Sequence, residues 1–389
     1  MPTAVQNPKA MNAVKSSARA ALPRICIPTA RSFTRRLFQC GFYEAQDILQ
    51  EIADVDLIAL EPGPGFRFKE RWQRRLLYRD ISRKLIYTNP GLRKVRLTGE
   101  YDLFVAHCQT YWDLLYVNAI EGWKDKCKTS VCWIDELFVS ALPLYKYWLH
   151  ALLQFDHIFL GYSGTATALY AILGRPCHWL PGAVDTSRFS PYPDPPQRVV
   201  NVYSIGRRWE GIHSALRAAA ARREIFYAYD TSPSIDTEVY DHREHRNFYA
   251  NMAKRSQYFV VAPGKIDSEE TKGQVVTGFR YYEGAAAGAV MIGQAPNSEE
   301  FRSMFGWPDA VIPIQPDGSD VLKVLMNLST QPERLCATSR RNAGEALLRH
   351  DWIYRWKQVF RVAGLEPTPP MLERERQLKE LADMALSGN

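Results

Sequence analysis

The sequence predicts an α/β protein built as two Rossmann-like, doubly wound lobes that face each other across a cleft. Three observations predict it. Short apolar or β-branched runs alternate with helical patterns from Arg24 onward, the signature of a mostly parallel sheet covered on both faces. A stretch dense in Pro and turn formers interrupts the alternation at residues 181–198. A second alternating series then begins at Val199. With 389 residues, 46% of them hydrophobic and 23% charged, the chain has the length for two cores and an ordinary globular composition.

In the first series, the short runs Val55–Leu60, Leu103–His107, Val131–Ile134 and His157–Leu160 read as buried strands. Arg31–Ile52, Thr110–Ile120, Leu144–Leu153 and Thr165–Leu173 read as the helices between them. In the second series, strands are expected at Val199–Ile205, Ile225–Tyr229, Tyr258–Ala262, Ala289–Gly293 and Ala310–Ile314. Helices are expected at Gly211–Arg222, Arg243–Ala253, Thr277–Ala287, Ser298–Phe305, Asp320–Leu328, Pro332–Leu348 and Trp352–Val362, with a charged helix at Leu372–Ala385 after a Pro-rich break. The resulting division is a leader over 1–23, a first lobe over 24–180, a linker over 181–198, a second lobe over 199–362 and a tail helix over 363–389. The last helices are expected to pack back toward the first lobe.

The leader is polar and mildly basic and lacks the apolar core of an export signal, so it reads as a loose segment on a cytoplasmic protein. No apolar stretch is long enough to span a bilayer. Seven cysteines form no CxxC pair, and Cys127 and Cys132 have no further ligands at zinc spacing, which fits a reducing compartment. The net charge of +7 is concentrated: Arg67, Lys69, Arg71, Arg74, Arg75, Arg79, Arg83 and Lys84 face only Glu70 and Asp80 between Phe66 and Tyr87. This argues against a nucleic-acid binder and for one local anionic partner. Interleaved with Phe68, Trp72, Leu76, Leu77, Tyr78 and Ile81, the segment fits either an anionic membrane surface or a solvated face over a core stripe.

Ligands of such sheets bind beyond the carboxyl ends of the strands, so the candidate site residues are those at strand ends and the turns after them. The most informative segment is Gly278 to Gly293. A helix opens there after a glycine-containing loop, carries Arg280 and Glu283 in its first turns, and continues through Gly284 and Ala285–Ala287 to a buried strand. Small residues allow close packing on the sheet, and the free N–H groups at the helix start favour an anion. Glu283 on the cleft side has the acceptors for a ribose diol. Asp135 and Glu136 end the strand Val131–Ile134, where one can act as general base, Asp135 serving equally well as a helix cap. His107, at the end of Leu103–His107, has a similar position. Asp54-Val55-Asp56 has the form of a metal-binding DxD triplet, but it opens a hydrophobic strand and reads as a strand start; no metal site is assigned.

Here the chain resembles glycosyltransferases of the GT-B fold, of the group-1 type that includes a spore-maturation-like branch. The resemblance rests on Arg280-Tyr281-Tyr282-Glu283-Gly284-Ala285-Ala286-Ala287-Gly288, on Pro181-Gly182-Ala183-Val184-Asp185 leading to Arg188-Phe189, and on Ser204-Ile205-Gly206-Arg207-Arg208. These fall in the family's order and the likeness spans roughly residues 100 to 360. It implies a nucleotide-sugar donor, UDP- or GDP-linked, in the second lobe and a glycan or lipid-linked acceptor on the first, with no other cofactor. It also implies Gly206, Arg207, Arg208, Lys272, Arg280, Glu283 and Gly284 as the donor site. The family's second glutamate is absent, its expected positions being Val275 and Val276, and the lysine usual after the Gly-Arg pair is absent too. Retention or inversion at the sugar is therefore left open. Two other readings stand beside this one: a catalytically silent scaffold that binds a nucleotide sugar, and a basic membrane-surface adaptor.

Overall fold

The computed structural model describes residues 22–79, 81–231, 237–266 and 268–388. Of the predicted leader, residues 1–21 lie outside them, as do Asp80 and Asp267.

The first lobe is a six-stranded sheet formed by β1 (Arg24–Thr29), β2 (Asp54–Ala59), β3 (Tyr101–Thr110), β4 (Cys127–Glu136), β5 (His157–Leu160) and β6 (Cys177–Trp179). Its order is β2-β1-β3-β4-β5-β6, and every pairing is parallel. The second is a five-stranded parallel sheet of β7 (Val200–Ser204), β8 (Tyr227–Tyr229), β9 (Ser256–Val261), β10 (Val290–Gly293) and β11 (Ile312–Pro313), in the order β8-β7-β9-β10-β11. Both orders reverse direction beside their first strand, between β1 and β3 and between β7 and β9. Those switch points open a crevice at the carboxyl edge of each sheet.

The helices that position the site are α1 (Cys40–Ile52), α2 (Phe66–Tyr78), α3 (His242–Lys254), α4 (Phe279–Ala286), α5 (Trp352–Val362) and α6 (Pro369–Ser387). One face of the first sheet buries Phe104, Trp123, Trp148 and Phe155. The other buries Trp133 and Phe159 against Trp352, Trp356 and Phe360 of α5 and Met371 and Leu378 of α6. The last two helices thus cross back and wall the first lobe, as expected. Trp356 donates to the Ala45 carbonyl of α1 at 2.8 Å, and Thr368 to that of Ile52 at 2.5 Å, which fixes their angle of return.

Several local expectations are corrected. Arg24–Thr29 is a strand beside the switch point, hidden in the sequence by Pro28. That proline sits beyond the paired residues Ile25 and Cys26, where β1 has left β3 and bonds only to β2, so its missing N–H costs little. The helix expected from Arg31 begins at Cys40, after a loop over 31–36 that meets residues 237–239 of the other lobe and a 3-10 turn at Leu37–Gln39. The strand expected to end at His107 runs on to Thr110, and the helix after it is of the tighter 3-10 kind. The basic segment is helical only to Tyr78, followed by a 3-10 turn over Arg83–Tyr87. The linker segment is packed: Val184 and Phe189 are fully buried, and Val184 donates to the His350 carbonyl at 3.0 Å.

Candidate functional site

The carboxyl edges of the two sheets meet. Glu136, the last residue of β4, pairs at 3.0 Å with Lys265 in the loop after β9. The Ser163 amide and hydroxyl, just after β5, donate to Glu300 at 3.1 and 2.8 Å. Val139 donates to the Gln274 side chain at 2.9 Å and Ser140 to the Glu270 carbonyl at 2.7 Å. These bonds close one flank of the cleft, and the meeting of residues 35–37 with 237–239 closes the other.

On the first-lobe side, in-register pairing sets the geometry. His107 lies opposite Trp133 on the neighbouring strand. Two residues further, on the same face, Gln109 donates to Asp135 Oδ2 at 2.8 Å. Asp135 is half-buried beside Glu136; desolvation first, then that neighbouring charge, push its carboxyl up to about 7, against the opposing pull of Gln109 and Lys265. Asp135 lies within β4, and the next helical turn begins at Val139. His107 stands within the strand rather than at its end. Its ring stacks between Phe42 at 3.6 Å and Trp133 at 4.3 Å, and burial, with Arg31 nearby, holds it well below the usual histidine range. A small cavity of about 30 Å³ opens beside it at the β1/β3 switch point, lined by Gln46 and Gln109 among others. His107 Nδ1, Gln46 Nε2 and Gln109 Oε1 have no partner among the described residues.

On the second-lobe side, β7 ends at Ser204 and turns through Gly206, whose φ is +70°. A φ of this sign suits glycine, and a Cβ there would sit 2.1 Å from the Arg280 guanidinium, which would have to move aside. Arg280, in the first turn of α4, donates to the Arg207 carbonyl at 2.9 Å and ties that helix start to the turn. Arg207 Nη1 is buried with no acceptor among the described residues. Arg208 is held by Asp230, as an ion pair at 3.0 Å and through the Asp230 carbonyl at 2.6 Å. Lys272 is exposed and has φ +43° at the end of a short 3-10 turn.

Glu283 and Gly284 sit differently from the sequence expectation. Glu283 is only 5% exposed; Arg246 of α3 binds one of its oxygens and Tyr249 donates to the other at 2.7 Å. The physical reason is the presence of α3, which brings a buried cation to the one carboxylate on α4. Gly284 faces the sheet, where a Cβ would lie 2.9 Å from Phe259 and 3.1 Å from Met291. Its part is close helix–sheet packing. Of the expected residues, Gly206, Arg207 and Arg280 gather at the second-lobe edge and Asp135 and Glu136 at the first-lobe edge. Sequence reasoning passed over Gln109, Lys265 and Arg246. The alternation of 107 with 109 and of 133 with 135 could have found Gln109; nothing local marks the other two. Asp56 of the DxD triplet is taken by Arg24 at 2.9 Å and the Tyr101 hydroxyl at 2.7 Å.

Two facing parallel lobes, each with its crevice at the switch point, define the GT-B architecture, and solved structures share it. The chain is similar to Anabaena Alr3699/HepE in complex with UDP and glucose (TM-score 0.51, 9% identity, 88% of this chain and 99% of that one). It is similar also to the structure of trehalose-6-phosphate from E. coli bound with UDP-2-fluoro glucose (TM-score 0.53, 12% identity, 88% and 100%). A third is an α,α-trehalose-phosphate synthase (UDP-forming) from Burkholderia vietnamiensis (TM-score 0.51, 10% identity, 87% and 99%). The chain therefore has the GT-B fold. No protein-family model and no curated protein sequence matches it.

Proposed function

We propose that this protein transfers a sugar from a nucleotide-sugar donor, UDP-linked before GDP-linked, to a hydroxyl of a glycan or lipid-linked acceptor. The observation that carries the reading is the pairing of unlike edges across one cleft. A carboxyl tuned to about 7, Asp135, stands on one side. On the other stands the glycine turn with Arg207, whose buried Nη1 has no acceptor among the described residues. Three structures of the same fold contain, or are named for, UDP chemistry, which favours the uridine donor.

In this reading the acceptor oxygen forms the new bond to the anomeric carbon as the bond to the donor diphosphate breaks. Asp135 takes the proton from the acceptor hydroxyl, and the nucleoside diphosphate leaves. Arg207, with Arg280 and the amides at the start of α4, stabilises the charge that develops on the leaving group, so no metal ion is required of the mechanism. Arg208 stands beside Arg207 as a candidate, because Asp230 holds its Nη2 while its Nη1 likewise has no acceptor among the described residues, and Lys272 is secondary. Glu283 reaches a ribose only by sharing the oxygens that Arg246 and Tyr249 hold.

A thermal-shift series with UDP, GDP, ADP, CMP and dTDP tests the donor half. A ligand that binds only the folded state must raise its Tm, by an amount that grows with the logarithm of concentration above Kd. UDP is expected to stabilise the protein, and Arg207→Ala to remove most of the shift while leaving the unliganded Tm in place. Well-folded protein that responds to none of the five would sink the proposal.

A further inference from the structure

The basic segment is not used by the chemistry above, and the structure gives it a definite form. Helix α2 turns Phe66, Gln73 and Leu77 inward. Phe66 packs edge-on against Phe33 at 5.2 Å, Glu70 accepts from the Tyr116 hydroxyl at 2.6 Å, and Gln73 donates to the Leu85 and Thr88 carbonyls at 2.7 and 2.8 Å. The helix is thus rigidly seated. Phe33 follows β1 and Tyr116 follows β3, so α2 stands at the cleft end of the first lobe, beside its switch point.

The opposite face has no such partners. Phe68, Trp72, Arg75 and Arg79 recur at the spacing of a single helix face. Phe68 is 67% exposed and Trp72 46%, their rings edge to face at 5.9 Å with the Arg75 guanidinium 5.8 Å above Trp72. Ile81, just past the helix, is 62% exposed. Around them Arg67, Lys69, Arg71, Arg79 and Lys84 are all exposed, and none makes an ion pair with a described residue. Clustered large apolar side chains at the centre of a basic face fit a surface with a hydrocarbon interior under its charges better than bulk water. An anionic bilayer matches both parts: hydrocarbon for the rings and Ile81, lipid phosphates for the cations. No described helix is long and apolar enough to cross a membrane.

We propose that the outer face of α2, with Ile81, docks flat on an anionic lipid bilayer and holds the cleft mouth of the first lobe against it. This surface stands apart from the donor site, and its test needs no nucleotide sugar.

The test is co-sedimentation of the full chain with vesicles of phosphatidylcholine alone and with 30% (roughly) phosphatidylglycerol, at about 0.1 and 0.5 M salt. Binding is expected only to the anionic vesicles and to weaken with salt. Phe68→Ala/Trp72→Ala and, separately, Arg71→Glu/Arg75→Glu are each expected to weaken it by more than about tenfold. All four side chains are exposed, and unchanged circular dichroism and UDP response would show both variants folded. Absence of binding to anionic vesicles, or binding that both variants retain, overturns the proposal. So does tighter binding to a single-stranded RNA oligomer than to the vesicles, measured in competition.

Discussion

At the scale of single residues, the cleft separates groups by what burial does to their charge. Asp135 and His107 lie one strand apart, yet burial raises the first and depresses the second, so near pH 7 one is half ionised and the other a neutral ring. If Asp135 is the base, kcat/KM rises with pH through about 7, because the carboxylate is the active form. Asp135→Asn is expected to lower activity by ~10²–10⁴-fold and remove that limb from the profile. The same shift has a sign for stability. A carboxyl raised in the folded state adds its full stability below its unfolded value, and loses it as pH climbs toward about 7. Asp135→Asn should therefore raise the Tm at pH 8 and change it little at pH 4; an equal effect at both would show that the carboxyl is not desolvated as described. The positions of Asp135 at a strand end and Arg207 after a glycine turn were legible in the sequence because these are local features. Gln109, which orients Asp135, was legible only through alternation, and Lys265 and Arg246 only through the meeting of lobes.

At the scale of elements, α4 shows how little of a helix is free to do chemistry. Its eight residues, Phe279–Ala286, bury six. Arg280 braces the Gly206 turn, Glu283 is claimed by α3, and Gly284 lies on the sheet. The motif that made this helix recognisable is largely a packing motif. Gly284→Ala would put a methyl against Phe259 and Met291 at 2.9 and 3.1 Å, with an expected cost of about 1–3 kcal/mol, read as a lower Tm. An unchanged melt would mean that α4 can slide on the sheet. Strands with uninterrupted apolar runs were read correctly from sequence. Two strands of the first sheet were missed: Pro28 disguised β1, and β6 is only three residues long with no apolar run. Residues 31–36 read as a helix because their pairing partners, residues 237–239, are distant in the chain.

At the scale of the whole molecule, the lobes are joined by charge as well as by chain. Glu44 of α1 takes Arg246 of α3 through two bonds, at 2.7 and 3.2 Å, and also accepts from the Asp185 amide at 2.7 Å and Trp352 at 3.0 Å. Asp47, one turn along, holds His242 at 2.8 Å and Arg243 at 2.9 Å. Burial alone would raise Glu44, but Arg246, with Arg188, outweighs it and holds the carboxyl below the usual glutamate range. Its stabilising effect is present above the unfolded value near 4.5 and is lost as pH falls below it. Arg246→Met strands two buried carboxylates and is expected to cost about 3–5 kcal/mol at pH 7. Adding Glu44→Gln and Glu283→Gln should recover much of that loss in urea melts. A single variant as stable as the parent would show that the triad is not sealed from water.

The return of α5 and α6 bears on how the protein is made. The first lobe leaves the ribosome first, but one face of its sheet, covered early only by α1, stays incompletely packed until residues 352–382 have been synthesised, since Trp352, Trp356, Phe360, Met371 and Leu378 complete that core. A nascent chain paused near residue 350 would hold a finished second lobe beside an unfinished first one, with Trp133 and Phe159 incompletely covered. The lobe begun earliest is closed last, and during that interval the cell's chaperones would meet it as a partly open sheet.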